Sequence, residues 1–253
     1  MPIHKISVSP SLNTKRLPNN NPVFLKVPST LHLFSNYSSG MDEKQIEIMS
    51  QWFELCYNNE ISLEIAATMG EKIINAYSSP HRSYHTLGHL HHCFAILDQI
   101  PYEIEEKNDI RFAIWFHDFI YDPKSESNEH QSAEIAYKWL HGLGVSNPEH
   151  VRSLIESTAN YLEPAKDVLT YQVLHDIDLG IFASDEKIYI EYSKGIREEY
   201  GHLNDKQFFL AREKFLNSLM ELDSLFALEA FEHQWEGKAR KNISKEIKKI
   251  KKL

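Results

Sequence analysis

Residues 41–57 read MDEKQIEIMSQWFELCY, and Ile46, Met49, Phe53 and Cys56 fall at spacings of three and four. That spacing matches the 3.6-residue turn of an α-helix, so the segment is expected to bury one face and solvate the other. The same period recurs downstream. It predicts helices over 62–77, from the histidine-rich stretch at 82–92 to Pro101, and over 108–119, 128–140, 148–161, 169–182, 184–200, 205–220 and 224–250. Asn147 followed by Pro148 is a start signal, since Asn can cap a helix and Pro suits its first position. Alternating strand pairs, Asn-Gly or Asp-Gly hairpin signals and internal repeats are absent from the sequence. The expected fold class is all-α, a helical bundle. Residues 1–40, rich in Ser, Asn and Pro, are expected to form an extended or partly disordered leader. Residues 41–253 are expected to form a single all-α domain ending in a basic helix.

The composition narrows the partners. With 253 residues the chain can build one large domain or two small ones. A net charge of −9 argues against general nucleic-acid binding, which needs clustered Lys and Arg. The basic tail KARKNISKEIKKIKKL (238–253) is expected to be a solvated helix end whose cations complement the helix dipole. No apolar run approaches the roughly 18 residues of a membrane span, and no apolar signal-peptide segment follows the N-terminus. Two cysteines, Cys56 and Cys93, lie in no paired metal-binding spacing, which favours a reducing, cytoplasmic compartment.

The chemistry-bearing residues sit in three places. HRSYHTLGHLHH (81–92) carries five histidines. On a helix, His85 and His89 share one face, His92 can join them, and His91 points elsewhere. Such a pair suits a metal ion, or a metal ion and a proton donor, although paired helical histidines are more often polar surface or hydrogen-bonded core. In AIWFHDFIYDPKSESNEHQSA (113–133), His117 and Asp118 end the aromatic run 112–116. A buried carboxylate there is costly unless a metal or a hydrogen bond satisfies it. Asp122 follows as a proton-transfer group or a cap beside Pro123. In VLHDIDLGIF (173–182), Asp178 is in register with Leu174 and Ile181 and is the preferred inward carboxylate over Asp176, with His175 structural.

An isolated His, a His-Asp doublet and a distant Asp resemble the HD superfamily of metal-dependent phosphohydrolases, here as His89, His117 with Asp118, and Asp178. YHTLGHL also resembles the YHNxxHA signature of the cyclic-nucleotide phosphodiesterases, a branch of that superfamily. HRSYHTLGH, AIWFHDFIYDP, SNEHQSA, DIDLGIF and IREEY, in that order over roughly residues 45–245, resemble a bacterial family of predicted HD phosphohydrolases. The resemblance implies an HD-type helical bundle. It implies one divalent metal ion (Mn, Mg, Co, Ni, Fe or Zn) held by His89, His117, Asp118 and Asp178, with His85 as proton donor. The extra histidines of dinuclear relatives are not evident, and Tyr161 stands where one would be expected.

The function expected on these grounds is metal-dependent hydrolysis of a phosphate ester or anhydride, by metal-activated water. The expected substrate is a small phosphorylated metabolite, with nucleotides among the candidates. Asp118 would also contact the water, and His85 would protonate the leaving oxygen. Arg82 and Lys124 are candidates for gripping phosphate or are solvated cations. Glu129 is a supporting candidate near the site. Arg197, with Tyr192 and Tyr200, would line a substrate pocket or pack helices together. A homodimer is an open option and a membrane partner is not expected. The alternatives are a non-catalytic nucleotide-binding or regulatory module of the same fold, and an HD-type di-iron oxygenase.

Overall fold

The structure is a computed structural model that describes residues 43–163, 165 and 168–253; the expected leader at 1–40 lies outside the described residues. Among the described residues ten α-helices run in chain order: α1 (Glu43–Asn58), α2 (Leu63–Tyr77), α3 (Leu87–Leu97), α4 (Lys107–Phe116), α5 (Asn128–Gly142), α6 (Pro148–Glu156), α7 (Leu169–Leu179), α8 (Glu186–Glu199), α9 (Asp205–Glu221) and α10 (Glu229–Ile250). Short 3-10 turns, Ser157–Ala159 and Gly180–Ala183, extend α6 and α7. No strand occurs among the described residues, so the fold is an all-α helical bundle.

Helix α4 is the axis of the bundle. Its residues Ile110, Phe112, Ala113, Ile114, Trp115 and Phe116 are all buried, as expected of a C-terminal half that is an unbroken apolar run. Trp52 of α1 packs edge-on against Phe112, Trp115 and Phe116 and also meets Trp139 of α5. Its indole N–H donates to the Ala66 carbonyl at 2.8 Å, so the polar end of this fully buried ring is satisfied. The buried face of α1 is therefore Ile48, Met49, Trp52, Leu55 and Cys56. Ile46 and Phe53, expected inside, are only half-buried. Because α1 packs against α2, α3 and α4 together, its inward stripe is wider than a single three-four spacing and is rotated from the expected one.

The helix termini matter most for the site. Thr86 caps α3 by accepting the Gly88 N–H, so residues 82–86 form a loop ahead of the helix. Helix α4 ends at Phe116, earlier than expected, leaving His117 and Asp118 in the turn that follows. Asn147 takes a left-handed conformation (φ 55°) and makes no side-chain cap; its amide donates to Asp109 at 3.4 Å. Pro148 does occupy the first turn of α6. Helix α10 starts later than the expected 224 because the preceding N–H groups of Ala227 and Leu228 are taken by Asp176 of α7. Among the described residues no helix is long and apolar enough to cross a membrane.

Candidate metal and proton-transfer site

Three elements deliver the site. Helix α3 presents His89, the turn after α4 presents His117 and Asp118, and the last turn of α7 presents Asp178. The Nε2 atoms of His89 and His117 lie 3.0 Å apart. His89 Nε2 is 3.2 Å from Asp178 Oδ1, and His117 Nε2 is 3.1 Å from Asp118 Oδ2. The two imidazoles are buried, whereas Asp118 and Asp178 keep side-chain exposures of 14% and 19% and form the open side of the cluster. One ligand atom from each of His89, His117 and Asp178 fits within a 4.8 Å group able to hold a metal ion. Asp118 is not part of that group of three but lies beside it, its Oδ2 3.6 Å from His89 Nε2.

The surroundings fix which atoms face inward. His117 donates Nδ1–H to the Ile114 carbonyl at 2.9 Å, which leaves Nε2 as the lone-pair nitrogen of its neutral ring. Tyr161 donates its hydroxyl to Asp178 Oδ2, leaving Oδ1 for the cluster. Burial disfavours charge on His117, yet the neighbouring Asp118 carboxylate outweighs it and lifts this imidazole to about 9 in the metal-free protein. Burial also opposes ionisation of Asp178, but the hydrogen bond from His89 and the charge of His117 hold its carboxyl below the usual range, at about 2. Asp118 moves in the same direction and further, held down against burial chiefly by His117 and His85.

His85 reaches the same mouth by a different route from the one expected. It precedes the Thr86 cap, so it shares no helical face with His89. Its position is set instead by Glu199 at the end of α8, whose side chain is fully buried. Glu199 Oε1 accepts the backbone N–H groups of Ser83, Tyr84 and His85 at 2.8, 2.7 and 2.9 Å. Its Oε2 accepts His85 Nδ1–H at 2.7 Å and the Tyr121 hydroxyl at 2.8 Å. The other ring nitrogen, Nε2, lies 4.0 Å from Asp118 Oδ2. Burial works against protonation of His85, but Asp118 and the Glu199 bond raise it above its ordinary value. Tyr84 packs its ring against both His85 and His89, and its buried hydroxyl has no hydrogen-bond partner.

The remaining expected site residues fall elsewhere. The Arg82 guanidinium is buried and donates to the carbonyls of His85, Asp118 and Phe119 at 3.1, 2.8 and 3.1 Å. It is a backbone clamp, not a phosphate grip. Arg197 is likewise committed, donating to Asp205, Tyr200 and Leu203 and lying over the Phe208 ring, so it ties α8 to α9. Asp122 is exposed and accepts the Lys124 N–H at 3.0 Å; it caps a turn and touches no residue of the cluster among the described residues. Lys124 is exposed and Glu129 half-buried, and among the described residues neither is hydrogen-bonded or ion-paired to the cluster. Tyr192 packs between Tyr84, Phe182 and Tyr189 and accepts from Arg212. His91 pairs with Glu47 at 3.7 Å, and burial drives His92 down to about 4, so it stays neutral. Asp176, the more buried of the α7 carboxylates, faces the start of α10, not the cluster.

Sequence reasoning passed over Glu199, Tyr121 and the inward hydroxyl of Tyr161. The IREEY stretch contained the one available signal: a second Glu at a helix end followed by a tyrosine. Comparisons of the chain with family models, curated proteins and solved structures found no match.

Proposed function

We propose that the chain is a metal-dependent phosphohydrolase of the HD type, cleaving a phosphate ester or anhydride of a small phosphorylated metabolite. The observation that carries this reading is the convergence of His89, His117, Asp118 and Asp178 with the His85 ring at the same mouth. The donor set fits a metal. Two buried imidazole nitrogens at 3.0 Å can share a proton when no metal is bound, and they are also close enough to share a cation, His117 Nε2 being the lone-pair atom of its neutral ring. Two nitrogens with two carboxylate oxygens suit Mn, Fe, Co, Ni or Zn better than the oxygen-loving Mg.

His89, His117, Asp118 and Asp178 would hold the ion. When bound, a divalent ion supplies Lewis acidity toward water and phosphate oxygens. The chain's own groups do the rest. Asp118, partly open to solvent, orients the attacking water by accepting a hydrogen bond from it. As the P–O bond breaks and water oxygen bonds to phosphorus, His85 Nε2 gives a proton to the leaving oxygen. The closed bundle beneath His89 and His117 keeps bulk water from the buried side of the site. Two buried, unpaired thiols fit a reducing cytoplasm.

The test is metal analysis of the purified chain followed by a phosphate-release screen with Mn, Mg, Co, Ni and Fe. Metal-dependent release that disappears in His117→Ala and in Asp178→Asn is the expected result. Release that survives in both variants would end this reading. Two tightly bound irons would favour oxygenase chemistry instead, and binding of a phosphorylated ligand without turnover would favour a regulatory module.

A further inference from the structure

The most heavily engaged side chain around the site is none of the metal-facing ones. Glu199 accepts five hydrogen bonds from four residues: three successive backbone N–H groups, one imidazole and one phenol. Successive N–H groups pointing at one spot make an anion-binding concavity. Here the anion is supplied from inside the fold. Gly195, one turn earlier on the same face of α8, explains how the loop comes close enough. A Cβ at that position would sit 3.1 Å from Tyr84 Cβ and 3.3 Å from the Ser83 backbone, tighter than ordinary contact. Gly195 admits the loop and Glu199 grips it.

We propose that Glu199 is a positioning residue for His85: its carboxylate winds residues 83–85 around itself, commits the ring's Nδ1–H, and turns Nε2 to the reacting mouth. This rests on the reading of the mouth as a hydrolytic centre. The hydrogen-bond count decides the tautomer. An ionised carboxylate only accepts, and Oε1 is already filled by three backbone donors. Tyr121 brings its own proton to Oε2, so the bond from His85 requires the proton on Nδ1. The neutral ring then has its lone pair on Nε2, and the protonated ring has its second N–H there. In the reaction the Nε2 proton passes to the leaving oxygen, the ring becomes neutral with Nδ1–H still on Glu199, and the attacking water releases its proton to solvent. The benefit goes to substrates whose leaving oxygen must be protonated to depart.

Nitrogen-15 NMR of the His85 ring in the metal-free full chain, assigned with His85→Gln, reads the tautomer without any turnover. The wild-type neutral ring is expected to carry its proton on Nδ1. In Glu199→Gln the amide oxygen keeps the backbone donors while the NH2 faces the ring, so the proton moves to Nε2. With Mn and two probes, Glu199→Gln is expected to lower kcat on methyl phosphate by about 10²-fold or more with KM little changed. Loss on p-nitrophenyl phosphate should be small, because nitrophenolate leaves without a proton. A wild-type ring protonated on Nε2, an unchanged tautomer in the variant, or equal kcat losses on both esters would overturn the proposal. If Glu199→Gln does not fold, the wild-type spectrum decides. Absence of phosphate release from wild type, with the expected tautomers, would instead count against the hydrolytic reading.

Discussion

The Nε2 atoms of His89 and His117 meet at 3.0 Å from positions 28 apart in the chain, inside a cluster whose two carboxylates are more exposed than its buried imidazoles. Removing either imidazole leaves an incomplete donor set around a buried polar space. We expect His117→Ala to lose tight binding of Mn, Co or Zn while keeping the helical signal. Because the ligands must shed protons to bind, metal uptake should release protons, and affinity should weaken as the solution is acidified. Calorimetric titration in buffers of different ionisation enthalpy checks both statements.

The two α7 carboxylates separate into a scaffold role and a site role. Asp176 accepts the Ala227 and Leu228 N–H groups at 2.7 and 2.8 Å. Asp176→Asn places an amide donor against one of these donors and should cost about 1–3 kcal/mol. Metal stoichiometry should stay the same. Asp178→Asn should do the reverse, leaving the melting temperature close to wild type while metal is lost. Thermal unfolding and elemental analysis of the pair distinguish the roles, and metal loss in Asp176→Asn at full folding would contradict the assignment.

Arg82 gives a similar contrast between clamp and substrate contact. Arg82→Lys cannot serve the carbonyls of His85, Asp118 and Phe119 with one ammonium group. We expect a loss of about 1–3 kcal/mol in stability together with weaker metal binding, since Asp118 is one of the clamped residues. A rise in KM with unchanged stability would instead make Arg82 a substrate contact.

Glu199 gives the fold an acid sensitivity. Despite burial, its hydrogen bonds with His85 and the loop backbone depress its carboxyl to about 2 from an ordinary 4.5. A depressed folded value means that its contribution is present in full above the unfolded value and is lost as pH falls from about 4.5 toward 2. Glu199→Gln does not titrate there. The stability gap between wild type and Glu199→Gln should therefore be widest near neutrality and narrow on acidification through that window. Denaturant unfolding of both proteins across it is the measurement, and a gap that stays constant would contradict the assignment.

The bundle was legible in the sequence because helical burial leaves a periodic trace, and the helices from Leu63–Tyr77 onward lie close to where that trace puts them. The His117-Asp118 doublet was legible as well, since ionisable groups after a long aromatic run demand a partner. The way His85 is held and the partners of Arg82 were not. Both residues lie in a loop whose path is set by Glu199, more than a hundred residues away, and such tertiary hydrogen bonds leave no local pattern. Arginines look alike in a sequence whether they face phosphate or main-chain carbonyls. Only the finished fold distinguishes Arg82 and Arg197 from substrate contacts.

The reach of Glu199 has a consequence for how the protein is made. A ribosome releases the chain from its N-terminus, so the segments bearing His89 and His117 emerge and can pair long before α8 exists. Closing a loop of this length carries an entropic cost that late docking contacts must overcome. Until residue 199 has emerged, the three N–H groups at 83–85 have no internal acceptor and the His85 ring has no fixed bearing. Nascent protein thus passes through a stage in which the His89–His117 pair can assemble while the His85 ring beside it is still unaimed.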